Sequence, residues 1–246
     1  MTSQKHYAKA PIVEAAIDLR CKFSEEQSLD KLERVRQLLV SDYPIKEDLI
    51  LLKAQITPST GLTSEQKIAG FRLLTPERTK IAGIGLEGFT FSWLAPYDRW
   101  EALRDEAFRV WALYASVTNP VNISRVGVRF INRLDVPSSN GAGVELDQYL
   151  RTAPRIAPEL PQQLESFFLR FQILIAGEPA ANLTITETAM VPLTPNVVSI
   201  LLDIDAFVQG LEAKPEAAWQ IIERLRDEKN LAFESCITDA TRKLIR

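Results

Sequence analysis

Regular patterns of hydrophobic and polar positions run through the first forty residues of the chain. Residues Ile12–Phe23 alternate between apolar and polar side chains, which predicts a strand with one buried face. The Ser, Glu and Gln residues at 24–27 have the spacing of a capping box. Apolar residues then recur at intervals of three and four, which predicts a helix of about four turns that ends before Pro44.

Three strand-like runs and a second helix follow. The runs cover about residues 49–57, 67–74 and 80–93, and they are separated by sequences typical of turns. Asp98, with Glu101 three positions later, predicts the start of a helix. One face of that helix is apolar and aromatic, and we expect it to pack on a sheet through Trp100, Leu103, Ala107, Trp111 and Tyr114.

The second half of the chain repeats this order of elements. A strand, a short helix and three strands are predicted at residues 121–136, 146–150, 166–176, 181–190 and 197–207. Residues 137–143, which are rich in Ser and Gly, predict a loop. A long helix is expected to begin near Pro215 and to continue to the last residues of the chain.

Both halves therefore have the order strand, helix, three strands, helix, although they share almost no residue identity. This order predicts an α+β fold of two duplicated units, residues 10–119 and 120–246, with antiparallel sheet and the helices on one face. The units could form two sheets or one sheet of about eight strands. We favour a single pseudo-symmetric body over residues 1–246, because the flexible sequence lies inside the second unit and not between the units.

Composition and charge narrow the class of protein. The chain has 246 residues, of which 46% are hydrophobic, and its net charge of -3 gives no overall reason to expect nucleic acid or an anionic membrane as partner. Cys21 and Cys236 are too few for a disulfide framework, and no secretion signal or membrane-spanning run is found, so we expect a cytoplasmic protein. The single histidine, His6, lies in a polar stretch, which removes most zinc sites and weakens every catalytic triad.

Five short motifs resemble those of a known protein family. They are PIVEA at residues 11–15, GFTFS at 88–92 leading to Tyr97 and Trp100-Glu101, RVGVRFINR at 125–133, LDID at 202–205, and KNLAFE at 229–234 followed by Thr238. Together they resemble a sporadically distributed, uncharacterised prokaryotic family of proteins of about this length. The scattered occurrence of that family implies an accessory function, as in mobile elements, phage defence or toxin–antitoxin modules. The resemblance assigns no catalytic residue.

The strand at residues 125–133 carries three arginines on one face. Because side chains alternate along a strand, Arg125, Arg129 and Arg133 share one side, while Asn132 lies on the other. Successive arginines are roughly 13 Å apart and form an extended charged ridge. Such a ridge could bind an anion, a nucleic-acid backbone or a partner protein.

Acidic residues offer a second interpretation of the same arginines. The guanidinium groups could form ordinary cross-strand pairs with Asp18, Glu187, Asp203 or Asp205. Asp203 and Asp205 also lie about 7 Å apart on one strand face, where a third carboxylate would complete a divalent-metal site. A nearby arginine would repel such a cation. We therefore favour ion pairing, and we predict no metal or other cofactor.

Residues 83–88 match the pattern GxGxxG of dinucleotide-binding loops. That motif requires a turn from a strand into a helix, so that the helix N-terminus meets the pyrophosphate. Here Phe89, Phe91 and Trp93 alternate with polar residues directly afterwards, which predicts a continuing strand with a bend or bulge. The same spacing indicates that these aromatic residues pack in the core and do not stack on bases.

Lys229 interrupts the apolar stripe of the last helix, between Leu225 and Ala232. A lysine on a buried stripe either extends its amine to solvent or marks a break in the helix, and the neighbouring Asn230 favours a break. A functional lysine would need a pKa that burial has lowered.

We expect a non-enzymatic binding or regulatory protein, because the sequence contains no nucleophile–base pair, metal cluster or phosphate loop. A homodimer or a protein partner fits this class, and the candidate binding residues are Arg125, Arg129, Asn132, Arg133, Asp203, Asp205 and Lys229. Two alternatives stay open. One is a metal-assisted hydrolase or nuclease-like enzyme that uses Asp203 and Asp205 with Glu14 or Glu187. The other is a sheet face that binds nucleic acid.

Overall fold

A computed structural model describes most of the chain. It covers residues 7–57, 61–138, 144–162 and 164–246, without the side chains of residues 53–65. His6 and most of the predicted loop at 137–143 lie outside these residues.

The described residues form nine strands, four α-helices and one short 3-10 helix. In chain order they are β1 (Ile12–Phe23), α1 (Leu29–Leu39), β2 (Ile45–Thr57), β3 (Gly61–Leu74), β4 (Lys80–Gly85), β5 (Gly88–Leu94), α2 (Trp100–Thr118), β6 (Pro120–Pro137), the 3-10 helix (Leu146–Gln148), β7 (Phe168–Ile175), β8 (Ala181–Met190), β9 (Val197–Ala213), α3 (Pro215–Cys236) and α4 (Asp239–Leu244). The strands form one antiparallel sheet in the order β2-β3-β4-β5-β1-β6-β9-β8-β7. The predicted α+β class with antiparallel sheet is confirmed.

The two halves of the chain differ in their elements. Residues 80–93 form two strands instead of one, so four strands follow α1, and the short helix of the second half is a single 3-10 turn. The internal duplication and the placement of all helices on one face stay predictions. The predicted caps were also wrong. Ser28 caps α1 with a side-chain bond to the Lys31 amide, and Arg99 precedes α2 without any side-chain cap.

The GxGxxG sequence is a hairpin, and the predicted bent strand was wrong. Strands β4 and β5 pair with Ile84 opposite Phe89, and residues between Gly85 and Gly88 make the turn. A Cβ on Gly88 would lie 2.3 Å from the carbonyl oxygen of Leu19, so only glycine allows this close backbone approach. No helix follows the glycines, so the geometry of a dinucleotide-binding loop is missing here.

The described chain forms two compact units. One, which we call the aromatic unit, comprises Ala16–Val126 and Gln209–Trp219. Its core contains Phe89, whose ring lies 5.7 Å from that of Trp111 and 5.8 Å from that of Tyr114. The prediction that the aromatic residues form core is confirmed for Phe89, Phe91, Trp100 and Trp111, whereas Trp93 is only partly buried.

The other unit, which we call the arginine unit, comprises Met1–Ala15, Gly127–Val208 and Gln220–Arg246. Helix α3 continues through Lys229 without interruption and ends at Cys236, so the predicted helix break was wrong. The prediction that this helix continues to the last residues of the chain was also wrong, because Thr238 caps a separate helix, α4. Among the described helices, none has the length and apolar character needed to cross a membrane.

Candidate functional site: the polar sheet face of the arginine unit

Arg129 and Asp203 form a two-point ion pair on the arginine unit. Arg129 donates from Nε to Oδ1 of Asp203 at 2.8 Å and from Nη2 to Oδ2 at 2.6 Å. The Arg129 side chain is 51% exposed, whereas that of Asp203 is 13% exposed. The hydrogen bonds to Asp203 raise the pKa of Arg129 further. The carboxylate therefore holds a charged guanidinium in one orientation at the surface.

The other two arginines of the predicted ridge are also paired, but they are less exposed. Arg133 donates to Asp135 at 3.0 Å and to the hydroxyl of Ser199 at 2.9 Å. Arg125, which belongs to the aromatic unit, pairs with Asp18. The predicted pairs of arginine with Asp18 and Asp203 are present, and Asp135 is a partner that sequence reasoning missed.

Strand register adds polar residues beside Asp203. In the β8/β9 ladder Thr186 lies opposite Asp203, and in the β7/β8 ladder Arg170 lies opposite Thr186. The backbones of Arg170 and Asp203 are therefore two strand spacings, about 10 Å, apart. Arg170 is exposed and makes no ion pair with the described residues. We call the surface formed by Arg129, Arg170, Thr186, Asp203 and Asp205 the polar sheet face.

Asp203 and Asp205 are arranged to hold arginine. Both carboxylate oxygens of Asp203 accept hydrogen bonds from Arg129, and the charges of Asp205 and Glu14 also raise the pKa of Arg129. No group of three or more His, Cys, Asp or Glu residues in the described chain could hold a metal ion. A cation at this pair would have to displace the guanidinium of Arg129.

Asn132 and Lys229 lie on the buried face of the unit, away from the polar sheet face. Asn132 is buried and donates from Nδ2 to the carbonyl oxygen of Leu202 at 3.1 Å. Lys229 of α3 is 7% exposed, and its amine lies 3.6 Å from the centre of the Phe130 ring. Burial, together with the charge of Arg226, lowers the pKa of Lys229 to about 7. The two predicted site residues are therefore packed inside the unit.

Glu187 is fully buried and pairs with none of the arginines. Its Oε1 accepts a hydrogen bond from Thr152, and its Oε2 has no partner among the described residues. Burial raises the pKa of Glu187, which favours the neutral acid. The expected cross-strand pairing of this residue was wrong. Burial likewise raises the pKa of Cys236, to about 11.

A second polar region lies in the aromatic unit and was not found from the sequence. It is a cavity of about 490 Å³ lined by Asp42, Tyr43, Thr75, Pro76, Glu77, Lys80, Glu106 and Arg109. Arg109 contacts both Asp42, at 2.9 Å, and Glu106, at 2.8 Å, and Tyr43 donates to Glu106 at 2.7 Å. Arg109 is 43% exposed, close to the 51% of Arg129, but two carboxylates share its guanidinium, whereas one carboxylate holds that of Arg129.

Comparison with known proteins does not assign the chain to a family. The sequence matches no protein-family model and no curated protein. The motif resemblance described above therefore stays a hypothesis, and function has to be argued from the residues themselves.

Proposed function

We propose that the protein is a non-enzymatic binding or regulatory protein that recognises a partner protein through the polar sheet face. The observation that supports this most is the geometry of Arg129. Its guanidinium is oriented by Asp203 through Nε and Nη2, while half of the side chain stays open to solvent. A side chain that is already ordered loses less conformational entropy when it binds.

The remaining Nη1 group of Arg129 is the donor that we expect a partner carboxylate to use. It makes no hydrogen bond with the described residues. Arg170 supplies a second guanidinium on the same face, and Thr186 between them supplies a hydroxyl that can donate or accept. This spacing suits two acidic side chains about 15 Å apart on a folded partner.

The mixture of charges favours a protein partner over nucleic acid. Asp203 and Asp205 lie among the arginines, and a phosphate backbone would be repelled by these carboxylates. A protein surface can place its own basic residues opposite them, which gives specificity through complementary charge. The proposal includes two features predicted from the sequence, the helices on the opposite face of the sheet and an accessory role in a mobile or defence module. The contact of Lys229 in α3 with Phe130 in β6 supports the first.

Charge reversal at Arg129 tests the proposal. Tagged wild-type protein, Arg129→Glu and Arg129→Gln would be purified from native cells after cross-linking, with quantitative mass spectrometry of the bound proteins. Arg20→Glu is the matched control, because Arg20 is an exposed arginine that pairs with Glu87 in the aromatic unit. Circular dichroism melts would establish that each variant folds.

We expect capture of a specific partner to fall at least tenfold in Arg129→Glu, less in Arg129→Gln, and not in Arg20→Glu. Equal capture by all four proteins would contradict the proposed surface. Oligonucleotide binding should also be measured, because the guanidinium groups of Arg129 and Arg170 are exposed. Binding that weakens steeply with salt would favour the nucleic-acid alternative.

A further inference from the structure

Strand β7 forms one end of the sheet and is open along its outer edge. It is the last strand in the sheet order, and no described strand pairs with its second edge. Apolar side chains on both of its faces are exposed: Phe168 (65%), Phe171 (39%), Ile173 (45%) and Leu174 (72%). An exposed, apolar strand edge of this length is a template for another strand.

The strand at the other end of the sheet also exposes apolar side chains, at residues 49–52, but it differs from β7 in charge and in regularity. Strand β2 carries Lys46, Glu47 and Asp48, and its register with β3 shifts between Leu49 and Ile50. Charges and irregularities of this kind discourage pairing with a further strand. Strand β7 has one charged residue and no proline, and its register with β8 is continuous. Strand β7 therefore offers fewer charges and a more regular backbone than β2 to a further strand.

The ladder with β8 determines which backbone groups face outward. The amide of Ala189 donates to the carbonyl oxygen of Phe167 at 3.4 Å, so these opposed residues form a hydrogen-bonded pair. Hydrogen-bonded and non-hydrogen-bonded pairs alternate in an antiparallel ladder. The residues whose N–H and C=O groups point to the open edge are therefore Phe168, Arg170, Gln172 and Leu174.

We propose that β7 pairs antiparallel with β7 of a second copy of this chain, about a two-fold axis at Phe171. In this register Arg170 lies opposite Gln172 of the second copy, and Phe168 lies opposite Leu174, so all four outward-facing residues are paired. An axis at Arg170 would place two arginines opposite each other, which is unfavourable. An axis at Gln172 would leave Phe168 without an opposing β7 residue.

The side chains in this register are also self-complementary. Phe171 and Ile173 lie opposite the buried residues Ile185 and Leu183 of β8, so they continue the apolar face of the unit to its edge. The axis brings Phe171 against Phe171 of the second copy in a close, non-hydrogen-bonded pair, which favours aromatic contact. Leu169 then meets Ile173 on the same face. The second copy would thus cover side chains that are left half-exposed.

The size of the contact predicts a reversible dimer. Two paired strands of eight residues bury less surface than the standard interface of about 1,600 Å², so the dimer should dissociate on dilution. This inference goes beyond the proposed function and does not rest on it, because the strand pairing uses backbone groups of β7, including those of Arg170, whereas the proposed function rests mainly on the side chain of Arg129.

Sedimentation velocity over about 1 to 300 µM tests the proposal in solution. Gln172→Pro removes an outward-facing N–H without affecting the ladder with β8, and Leu174→Lys places a charge at the edge. Leu193→Lys is the control, because Leu193 is an equally exposed leucine outside β7. We expect the wild type and the control to dimerise with rising concentration, and the two β7 variants to dimerise at least tenfold more weakly.

A cysteine pair tests the register without weakening the strand. Phe171→Cys would place two thiols opposite each other at the axis, within disulfide distance, and mild oxidation should give a covalent dimer. Gln172→Cys is the control, since its thiols would be offset diagonally by more than a disulfide spans. Monomeric wild type at every concentration, a dimer that both β7 variants retain, or equal cross-linking at 171 and 172 would each overturn the proposal. Arg129→Glu should leave the dimer intact.

Discussion

The two faces of the sheet in the arginine unit carry charged residues in different ways. On the polar sheet face, Arg129 and Asp203 satisfy each other at a half-exposed position. On the buried face, Lys229 contacts an aromatic ring, and Glu187 has one carboxylate oxygen without a partner among the described residues. Acidic and basic side chains therefore pair with each other on the polar sheet face, whereas Lys229 and Glu187 on the buried face have no partner of opposite charge among the described residues.

This difference shows that partners control ionisation on one face and desolvation controls it on the other. The carboxylate of Asp203 raises the pKa of Arg129, which stabilises its charged form. Burial lowers the pKa of Lys229 and raises the pKa of Glu187, so both shifts favour the neutral form. The exposed face therefore keeps its charges, whereas the packed side of the same strands disfavours them.

Replacing the buried lysine should have the largest effect. Lys229→Met keeps the apolar stem and removes the amine. The lowered pKa corresponds to about 4 kcal/mol at pH 7 and the lost contact with Phe130 subtracts about 1 kcal/mol, so we expect a gain of about 3 kcal/mol in the free energy of unfolding. The folded pKa of about 7 lies below the unfolded value, so wild-type stability should rise between about pH 7 and pH 10. Urea denaturation at several pH values measures both effects.

The exposed Lys243 provides the control for this substitution. Lys243→Met should change the free energy of unfolding by less than about 0.5 kcal/mol and should keep the pH dependence of the wild type. A Lys229→Met variant that retained the rise above pH 7 would show that another group causes it.

Removing the buried amide should have the next largest effect. Asn132→Ala leaves the carbonyl oxygen of Leu202 without the Nδ2 donor and opens a small cavity, so we expect a loss of about 2 kcal/mol in the free energy of unfolding. Partner capture should be unchanged, because Asn132 does not reach the polar sheet face. If a folded Asn132→Ala protein captured less of the partner, Asn132 would belong to the binding site after all.

Periodicity predicted which residues share a face, but it could not predict what lies opposite them. The alternation at residues 125–133 placed Arg129 on one face and Phe130 with Asn132 on the other; in the structure Arg129 is half-exposed, whereas Phe130 and Asn132 are buried. Pairing between Arg129 and Asp203 was also expected. Arg170 was missed because its place beside the site depends on the register of β7 with β8, and no local pattern encodes that register.

Two errors arose where tertiary packing overrides a local signal. Lys229 suggested a helix break because lysine disfavours burial, yet α3 continues, and the ring of Phe130 contacts the amine. The sequence predicted a bent strand where β4 and β5 are joined by a turn, because apolar and polar residues alternate again directly after the glycines, from Phe89. A tight hairpin and a continuing strand have similar short-range patterns when glycines flank the turn.

The buried acid Glu187 should make the free energy of unfolding depend on pH in the opposite direction from Lys229. Because the folded pKa of Glu187 is raised, its contribution to stability is fully present below the unfolded pKa of about 4.3 and is lost as the pH rises through the folded pKa. Glu187→Gln cannot ionise, so its stability relative to the wild type should increase over that interval. Parallel curves for the two proteins from pH 4 to pH 8 would contradict a buried neutral acid.

The smallest effect on stability is expected at the polar sheet face. Breaking the ion pair with Arg129→Gln or Asp203→Asn should each cost less than about 1 kcal/mol, because Arg129 is half-exposed and water and salt screen the pair. A double-mutant cycle in urea should give a coupling energy of about 0.5 kcal/mol that declines at high salt.

Partner capture compares the two variants more sharply than stability does, because Asp203→Asn leaves the guanidinium of Arg129 charged but less firmly held. If orientation by Asp203 matters for recognition, this variant should weaken partner capture although Arg129 itself is present, and unchanged capture would show that the charge of Arg129 alone is sufficient.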